Sequence, residues 1–378
     1  MPWQPPGGPG GDGGARNEPG GPVRRPRHRR GLAITAAFVV IALAAALGTA
    51  LALHTTPAPP RKTVSRTSAV AAAVDPGLVD VVCTLGYQNA ISAGTGLVLT
   101  SSGEVLTNNH VIDGATSVKV TDVGNGRTYP VTVVGYDQTG DFAVLQAQGA
   151  SGLKTVTLGS QSKVTVGQAV IALGNADGKG GIPAVATGKV TGLNESITAT
   201  DEAEHTSEHL TGLIRTSVPL QSGDSGGPLV TNAGTVIGMD TAASSGYEFQ
   251  SGAAEGFAIP IGQAVSVARQ IAAGRTSATV HIGATGFLGV EVGVYVVPFT
   301  ARTDVVVVGT MPGLPAARAG LAPGDVIVSI NGHAVASPFG IQTLLEQHHP
   351  GDRVSIGWLD PSGQAHTATV VLATGPAD

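Results

Sequence analysis

The order of apolar and polar positions divides the chain into four textures. Residues 1–22 carry almost no large apolar side chains between their Pro and Gly residues, too few to offset the entropy of ordering, so a disordered tail is expected over 1–30. From Leu32 to Leu53 the chain runs 22 residues without a charge, long enough to cross a bilayer as a helix. Residues 54–75, with Pro57, Pro59, Pro60 and scattered Thr and Ser, read as an exposed linker. From Asp75 to Ala273 short β-rich runs are broken by Gly, Asn and Asp, among them Thr95 to Leu99, Ser117 to Val120, Val131 to Val134 and Val164 to Leu173. That rhythm predicts a sandwich or barrel. After Ser277 the texture changes again: a strand over Val305 to Val308, a helical patch over Leu314 to Ala319, a half-buried strand over Val326 to Ile330 and a helix over Phe339 to His348.

Charge orients the apolar run. Arg24, Arg25, Arg27, Arg29 and Arg30 lead straight into it, which by the positive-inside bias keeps 1–30 cytoplasmic, makes 31–53 a transmembrane helix or signal anchor, and sends the rest across the membrane. The other expectation is secretion after cleavage near Ala50-Leu51-Ala52; against it, the apolar core of a signal peptide runs only about 7–15 residues.

Composition adds limits. The chain has 378 residues, 42% hydrophobic, enough for several buried cores. Its 55 Gly and 4% aromatics suit short strands and tight turns, so the fold class is mainly β. The net charge of -5 includes six Arg against Asp12 and Glu18 in residues 1–30, a local +4, which leaves -9 for the remainder and implies no nucleic-acid partner. Cys83 is the single cysteine, so no internal disulfide forms, and its apolar surroundings mark it as core.

Three motifs fall on the β-rich part: TNNHVI (Thr107 to Ile112), GDFAVL (Gly140 to Leu145) and QSGDSGGP (Gln221 to Pro228). A serine hydroxyl needs a base to take its proton as it attacks a carbonyl, and His is the natural base. The imidazole needs a carboxylate to hold its tautomer, and the developing oxyanion needs fixed backbone N–H donors. His110, Asp141 and Ser225 supply the three side chains, and glycines around Ser225 aim the Gly223 and Ser225 N–H groups at one point, with Asp224 between them. Asp137 is the rival acid. Asp141 is preferred because it directly precedes the strand Phe142 to Leu145.

These motifs, with GFAIP (Gly256 to Pro260), resemble the HtrA-type branch of the chymotrypsin-like serine proteases; LGYQNAISAGTG, GNADGKGG and MDTAAS are similar to actinobacterial PepA-type secreted proteases. The resemblance implies two six-stranded barrels over 76–275, with His110 and Asp141 on the first and Ser225 on the second. It also implies an oxyanion loop over Ser217 to Gly223, a specificity pocket at Pro219, Thr241 and Ala242 for a small or medium aliphatic side chain, no cofactor, and a homotrimer. Asp240, a carboxylate, directly precedes Thr241 in that stretch. PGLPAARAGLAPGDVIVSINGHAV (Pro312 to Val335) resembles a PDZ domain, expected over 276–378, in which Phe287, Leu288, Gly289 and Val290 form the loop that cradles a peptide's terminal carboxylate.

His205, Glu208 and His209 spell H-x-x-E-H, a zinc-peptidase pattern. The stretch Thr198 to Thr211 lacks an apolar helical stripe and is expected as a surface loop, so no metal is assigned. The function expected is a membrane-tethered, ATP-independent serine endopeptidase acting on exported, unfolded or damaged polypeptides, with peptide C-termini as PDZ ligands. The competing class is a chaperone or PDZ scaffold whose protease fold is latent.

Overall fold

The computed structural model describes residues 65–160, 163–201, 206–241, 255–296 and 303–377. The expected tail, the membrane span 31–53, residues 54–64 of the linker, Ala242 and His205 lie outside the described residues. Among the described residues no helix is long and apolar enough to cross a membrane.

The second half of the expected linker, 65–75, folds into a helix and its cap. Ser65 accepts the Ser68 N–H at 3.1 Å and caps helix α1 (Arg66–Val74), which buries Val70, Ala71 and Val74 in the core shared with the barrels. Three small apolar residues three and four apart make a stripe that the surrounding Ser and Thr had hidden in the sequence. Each buried valine contributes about 2 kcal/mol.

Strands β1 (Leu78–Leu85), β2 (Ala90–Val98), β3 (Glu104–Thr107), β4 (Ser117–Asp122), β5 (Thr128–Asp137) and β6 (Phe142–Ala147) run β5-β4-β1-β2-β3-β6, and β5 pairs with β6 to close the first barrel. Helix α2 (Asn109–Ile112) interrupts it between β3 and β4. The second closed barrel consists of β7 (Ala169–Gly174), β8 (Ala184–Asp201), β9 (Thr206–Thr216), β10 (Pro228–Thr231), β11 (Val236–Thr241) and β12 (Gly256–Pro260). Closure satisfies every strand edge. The run from Val164 begins its strand only at Ala169, because Gly167 turns the chain at φ +87°. Of the stretch Thr198 to Thr211 expected as a loop, Thr198 to Asp201 and Thr206 to Thr211 are strand: β8 and β9 pair antiparallel out to Asp201↔Thr206.

Helix α3 (Ile261–Ala272) buries Ile261, Ala264, Ala268 and Ile271 on one face and packs on β5, β6 and β11, bracing the two barrels. Strand β13 (Val280–Ile282) then pairs with β5, Val280 opposite Asp137. The boundary expected at 276 thus falls ahead of a strand that belongs to the first barrel's sheet, a pairing that tertiary contact alone decides.

Beyond it, β14 (Gly286–Phe287), β15 (Val290–Val296), β16 (Thr303–Thr310), helix α4 (Pro315–Ala319), β17 (Val326–Ile330), β18 (His333–Ala334), helix α5 (Pro338–Leu345), β19 (Arg353–Leu359), β20 (Ala365–Val371) and β21 (Ala373–Thr374) build the C-terminal region around Leu288, Ile327, Ile341 and Trp358. Ser337 caps α5, which ends at Leu345, ahead of the expected His348. The chain end returns to the first barrel: Ala377 N–H donates to Ala115 O, and Gly114 N–H to Ala377 O, each at 2.8 Å, just after α2.

Candidate active site

Three short elements deliver the key side chains to one cleft. Thr107 ends β3, Asn108 caps α2, and the single helical turn presents His110; Asp141 precedes β6; Ser225 sits in the turn before β10. The His110 Nδ1 lies 3.0 Å from both Asp141 carboxyl oxygens, and Nε2 lies 2.9 Å from Ser225 Oγ. A carboxylate only accepts, so Nδ1 carries the proton, and Nε2 is left to accept from the serine hydroxyl. Asp141 is 1% exposed and also accepts the His110 backbone N–H at 3.1 Å.

Asp137 is elsewhere. It accepts the Gly140 N–H and the Thr279 hydroxyl, each at 3.1 Å, and burial raises its pKa.

The nucleophile turn depends on glycine at two positions. Gly223 (φ +93°) and Gly226 (φ +82°) occupy left-handed conformations, and a Cβ at either would collide with a carbonyl oxygen, of Asn175 and Thr95 respectively. The Asp224 amide, expected beside those of Gly223 and Ser225 as an oxyanion donor, is taken up instead by Gln221 O at 3.0 Å, which closes the turn.

Sequence reasoning missed several supporting residues. Asn108 Nδ2 donates to Asp141 Oδ2 at 2.8 Å and to Asp141 O at 3.1 Å. Thr95 ties three strands of chain together: its N–H donates to Ser225 O (2.8 Å), its hydroxyl to Gly223 O (2.8 Å), and it accepts the Asn175 N–H (2.8 Å). Thr107 donates to Thr95 O at 2.7 Å. The Thr-Asn pair before the His motif hinted at the first and last; nothing local marks Thr95, whose partners are remote in the chain.

Of the expected pocket residues, Thr241 is buried and donates its hydroxyl to Asp141 Oδ2 at 3.2 Å, so it also supports the acid, and Pro219 is exposed. In the H-x-x-E-H stretch, residues 206–209 are strand β9, and His209 Nδ1 pairs with the Thr198 hydroxyl at 3.1 Å across the hairpin.

In the C-terminal region Leu288 and Gly289 shape the turn between β14 and β15: Met311 N–H donates to Gly289 O and Ala316 N–H to Leu288 O, both at 2.9 Å. A groove of about 220 Å³ opens there, lined by Leu288, Val290, Ile341, Leu345 and Pro376. Phe287 also lines the groove, and its ring stacks on Tyr87 of the β1–β2 turn, centroids 5.5 Å apart.

Two closed barrels meeting at a Ser-His-Asp cluster, followed by a small β-rich domain with a helix-flanked groove, define a trypsin-like peptidase fold with an appended PDZ domain. Family comparison agrees: residues 94–239 match the trypsin-like peptidase domain and residues 306–358 the PDZ domain. The serine protease PepD of Mycobacterium tuberculosis is 35% identical over 323 residues, 80% of this chain and 65% of the relative. The Do-like HtrA serine protease of Lactococcus lactis subsp. cremoris is 31% identical over 300 residues, 76% of this chain and 72% of the relative. The periplasmic serine endoprotease DegP of Salmonella typhimurium is 30% identical over 289 residues, 75% of this chain and 58% of the relative. The chain belongs to the HtrA family of serine proteases, and it spans a little under two thirds of the length of PepD.

Proposed function

We propose that the protein is a serine endopeptidase of exported polypeptides, with His110 as general base, Asp141 as its orienting acid and Ser225 as nucleophile. One observation carries the reading: a serine hydroxyl 2.9 Å from an imidazole whose other nitrogen rests on a buried carboxylate. Ser225 Oγ attacks the substrate carbonyl while its proton passes to His110 Nε2; Asp141 stabilises the imidazolium; His110 then returns the proton to the departing amine, and water repeats the cycle on the acyl-enzyme. The Gly223 and Ser225 N–H groups receive the oxyanion. Support for exported substrates comes from the DegP relative, whose name places it in the periplasm, and from the uncharged run 31–53 behind an Arg cluster, which tethers the catalytic part outside the cytoplasm. The groove at Phe287, Leu288, Gly289 and Val290 receives peptide C-termini, the domain division follows 76–275 and 276–378 apart from β13, and the assembled form is a homotrimer.

The test is labelling with a fluorophosphonate probe and cleavage of an unfolded protein such as casein. Wild type labels and cleaves, and Ser225→Ala does neither. No labelling of wild type under any condition would favour the latent scaffold. For the groove, a peptide with a terminal carboxylate binds and its amidated form does not; equal binding of the two removes the carboxylate-loop assignment.

A further inference from the structure

Behind the nucleophile turn lies a carboxyl group that the triad does not use. Asp240 in β11 is 1% exposed, and neither carboxyl oxygen has a hydrogen-bond partner. Its backbone grips the turn: the Asp240 N–H donates to Gly227 O at 2.7 Å, and the Gly226 N–H donates to Asp240 O at 2.9 Å. Thr241 faces Asp141, and successive strand side chains face opposite ways, so Asp240 points away from the triad into the second barrel, as does Gly238 towards Ala258 and Ile214.

Asp224 acts on Asp240 from the nucleophile turn, and its own Oδ1 is likewise buried without a partner, against the Cα of Gly174. Its remaining contacts shape the turn. Asp224 Oδ2 accepts the Gln221 N–H at 2.9 Å, its N–H donates to Gln221 O at 3.0 Å, and its carbonyl accepts the Gly227 N–H at 2.9 Å. Three buried orphan oxygens on two neighbouring acids cannot all belong to anions, because desolvation and mutual repulsion both oppose it. One retained proton removes one of the two charges and can partner two of the three oxygens.

We propose that Asp240 keeps its proton and donates it as a hydrogen bond to Asp224 Oδ1, making Asp240 a positioning residue that holds the Gln221–Ser225 turn in the shape the reaction needs. Strands β7, β10 and β12 around β11 carry no titratable side chain. Asp177, paired with Lys179 at the surface, adds negative field at Asp224. On β8 and β9, Lys189, Glu195, His209 and Arg215 are the charged and titratable groups with described side chains, and Arg215 is committed to Glu195 and Glu255. Helix α3 brings Arg269, and the opposite face of β11 meets Asp141, which in turn holds His110. The two acids therefore titrate as one pair. Loss of the shared proton at high pH places two like charges together, drives Asp224 out and loosens the turn.

The inference rests on the serine-protease reading, and its test separates the two. The pH profile of kcat and KM on a peptide substrate is measured for the full chain. Wild type loses kcat on the alkaline side by about tenfold per pH unit with little change in KM, the signature of one proton. Asp240→Asn, whose amide donates to Asp224 at every pH, keeps its kcat through that range, and Asp240→Leu loses at least about tenfold at all pH. The same alkaline limb in Asp240→Asn overturns the proposal. Should the variants fail to fold, infrared titration of wild type decides: a protonated-carboxyl C=O band at neutral pH must vanish with the same midpoint as kcat, and an absent band or a different midpoint overturns it. Wild type that never labels with fluorophosphonate sinks the protease reading and the positioning role with it, while the band still reports whether the proton is there.

Discussion

Asp141 adopts φ +59°, a left-handed conformation uncommon for a residue with a side chain. The surroundings hold it there: Asn108 from one side, the His110 N–H and ring from another, Thr241 from the second barrel. Removing one hydrogen bond to a charged group costs about 1.5–3 kcal/mol, so Asn108→Ala lowers kcat by roughly tenfold to a hundredfold, read from peptide hydrolysis at saturating substrate. Asp141→Ala abolishes most of the activity, about ten-thousandfold by analogy with loss of a triad acid, whereas Asp137→Ala leaves it intact; the reverse pattern would show that the wrong acid was chosen. Thr95→Val strands a buried carbonyl and a buried N–H at once, at about 1–3 kcal/mol each, and is expected to lower both the unfolding midpoint and kcat. At this scale the sequence told Asp141 from Asp137 only by its nearness to an apolar strand. The distinction is physical: Asp137 ends β5, its carboxyl bonded to its own turn and to Thr279, whereas both Asp141 oxygens meet the His110 ring.

Helix α1 shows how an element escapes a pattern. Its apolar face is three small residues, weak as a sequence signal, yet they complete a core supplied by both barrels. Asp75 closes the helix with Oδ1 buried and unpartnered, and burial raises its pKa from 3.8 to about 6. The folded state therefore favours the protonated acid: this contribution is fully present below the unfolded value near 3.8 and is lost as pH rises towards 6. Asp75→Asn removes that loss, so the variant is more stable than wild type at pH 7 and equal to it in acid; urea midpoints at the two pH values check this, and a constant difference would refute it. Cys83 on β1 is fully buried, and its thiol is pushed up to about 12, which keeps it protonated and unreactive, so alkylating reagents leave the native protein unmodified.

Across the molecule, the C-terminal domain does not hang loosely from the barrels. β13 extends the first sheet, Tyr136 and Thr285 hydroxyls meet at 2.6 Å, Tyr87 stacks on Phe287, and the backbone of Ala377 zips onto Gly114 and Ala115 beside α2. Combining Tyr87→Ala with Ala377→Pro, which deletes the N–H given to Ala115 O, is expected to split one calorimetric unfolding transition into two. A single unshifted transition would show that these contacts couple nothing. Arrangements of this kind join positions hundreds of residues apart and leave no local trace.

Hydrophobic alternation, glycine punctuation and three short motifs were enough to determine the mainly β class of fold and to single out His110, Asp141 and Ser225, which the structure brings together, because each is written in neighbouring residues that must satisfy local backbone geometry. The tertiary structure alone decided that β8 and β9 form a hairpin, that β13 joins the first barrel, that Thr241 serves Asp141 and that Asp240 faces inward. Those outcomes depend on which remote groups share a buried space, where every polar atom must find a partner or forgo its charge.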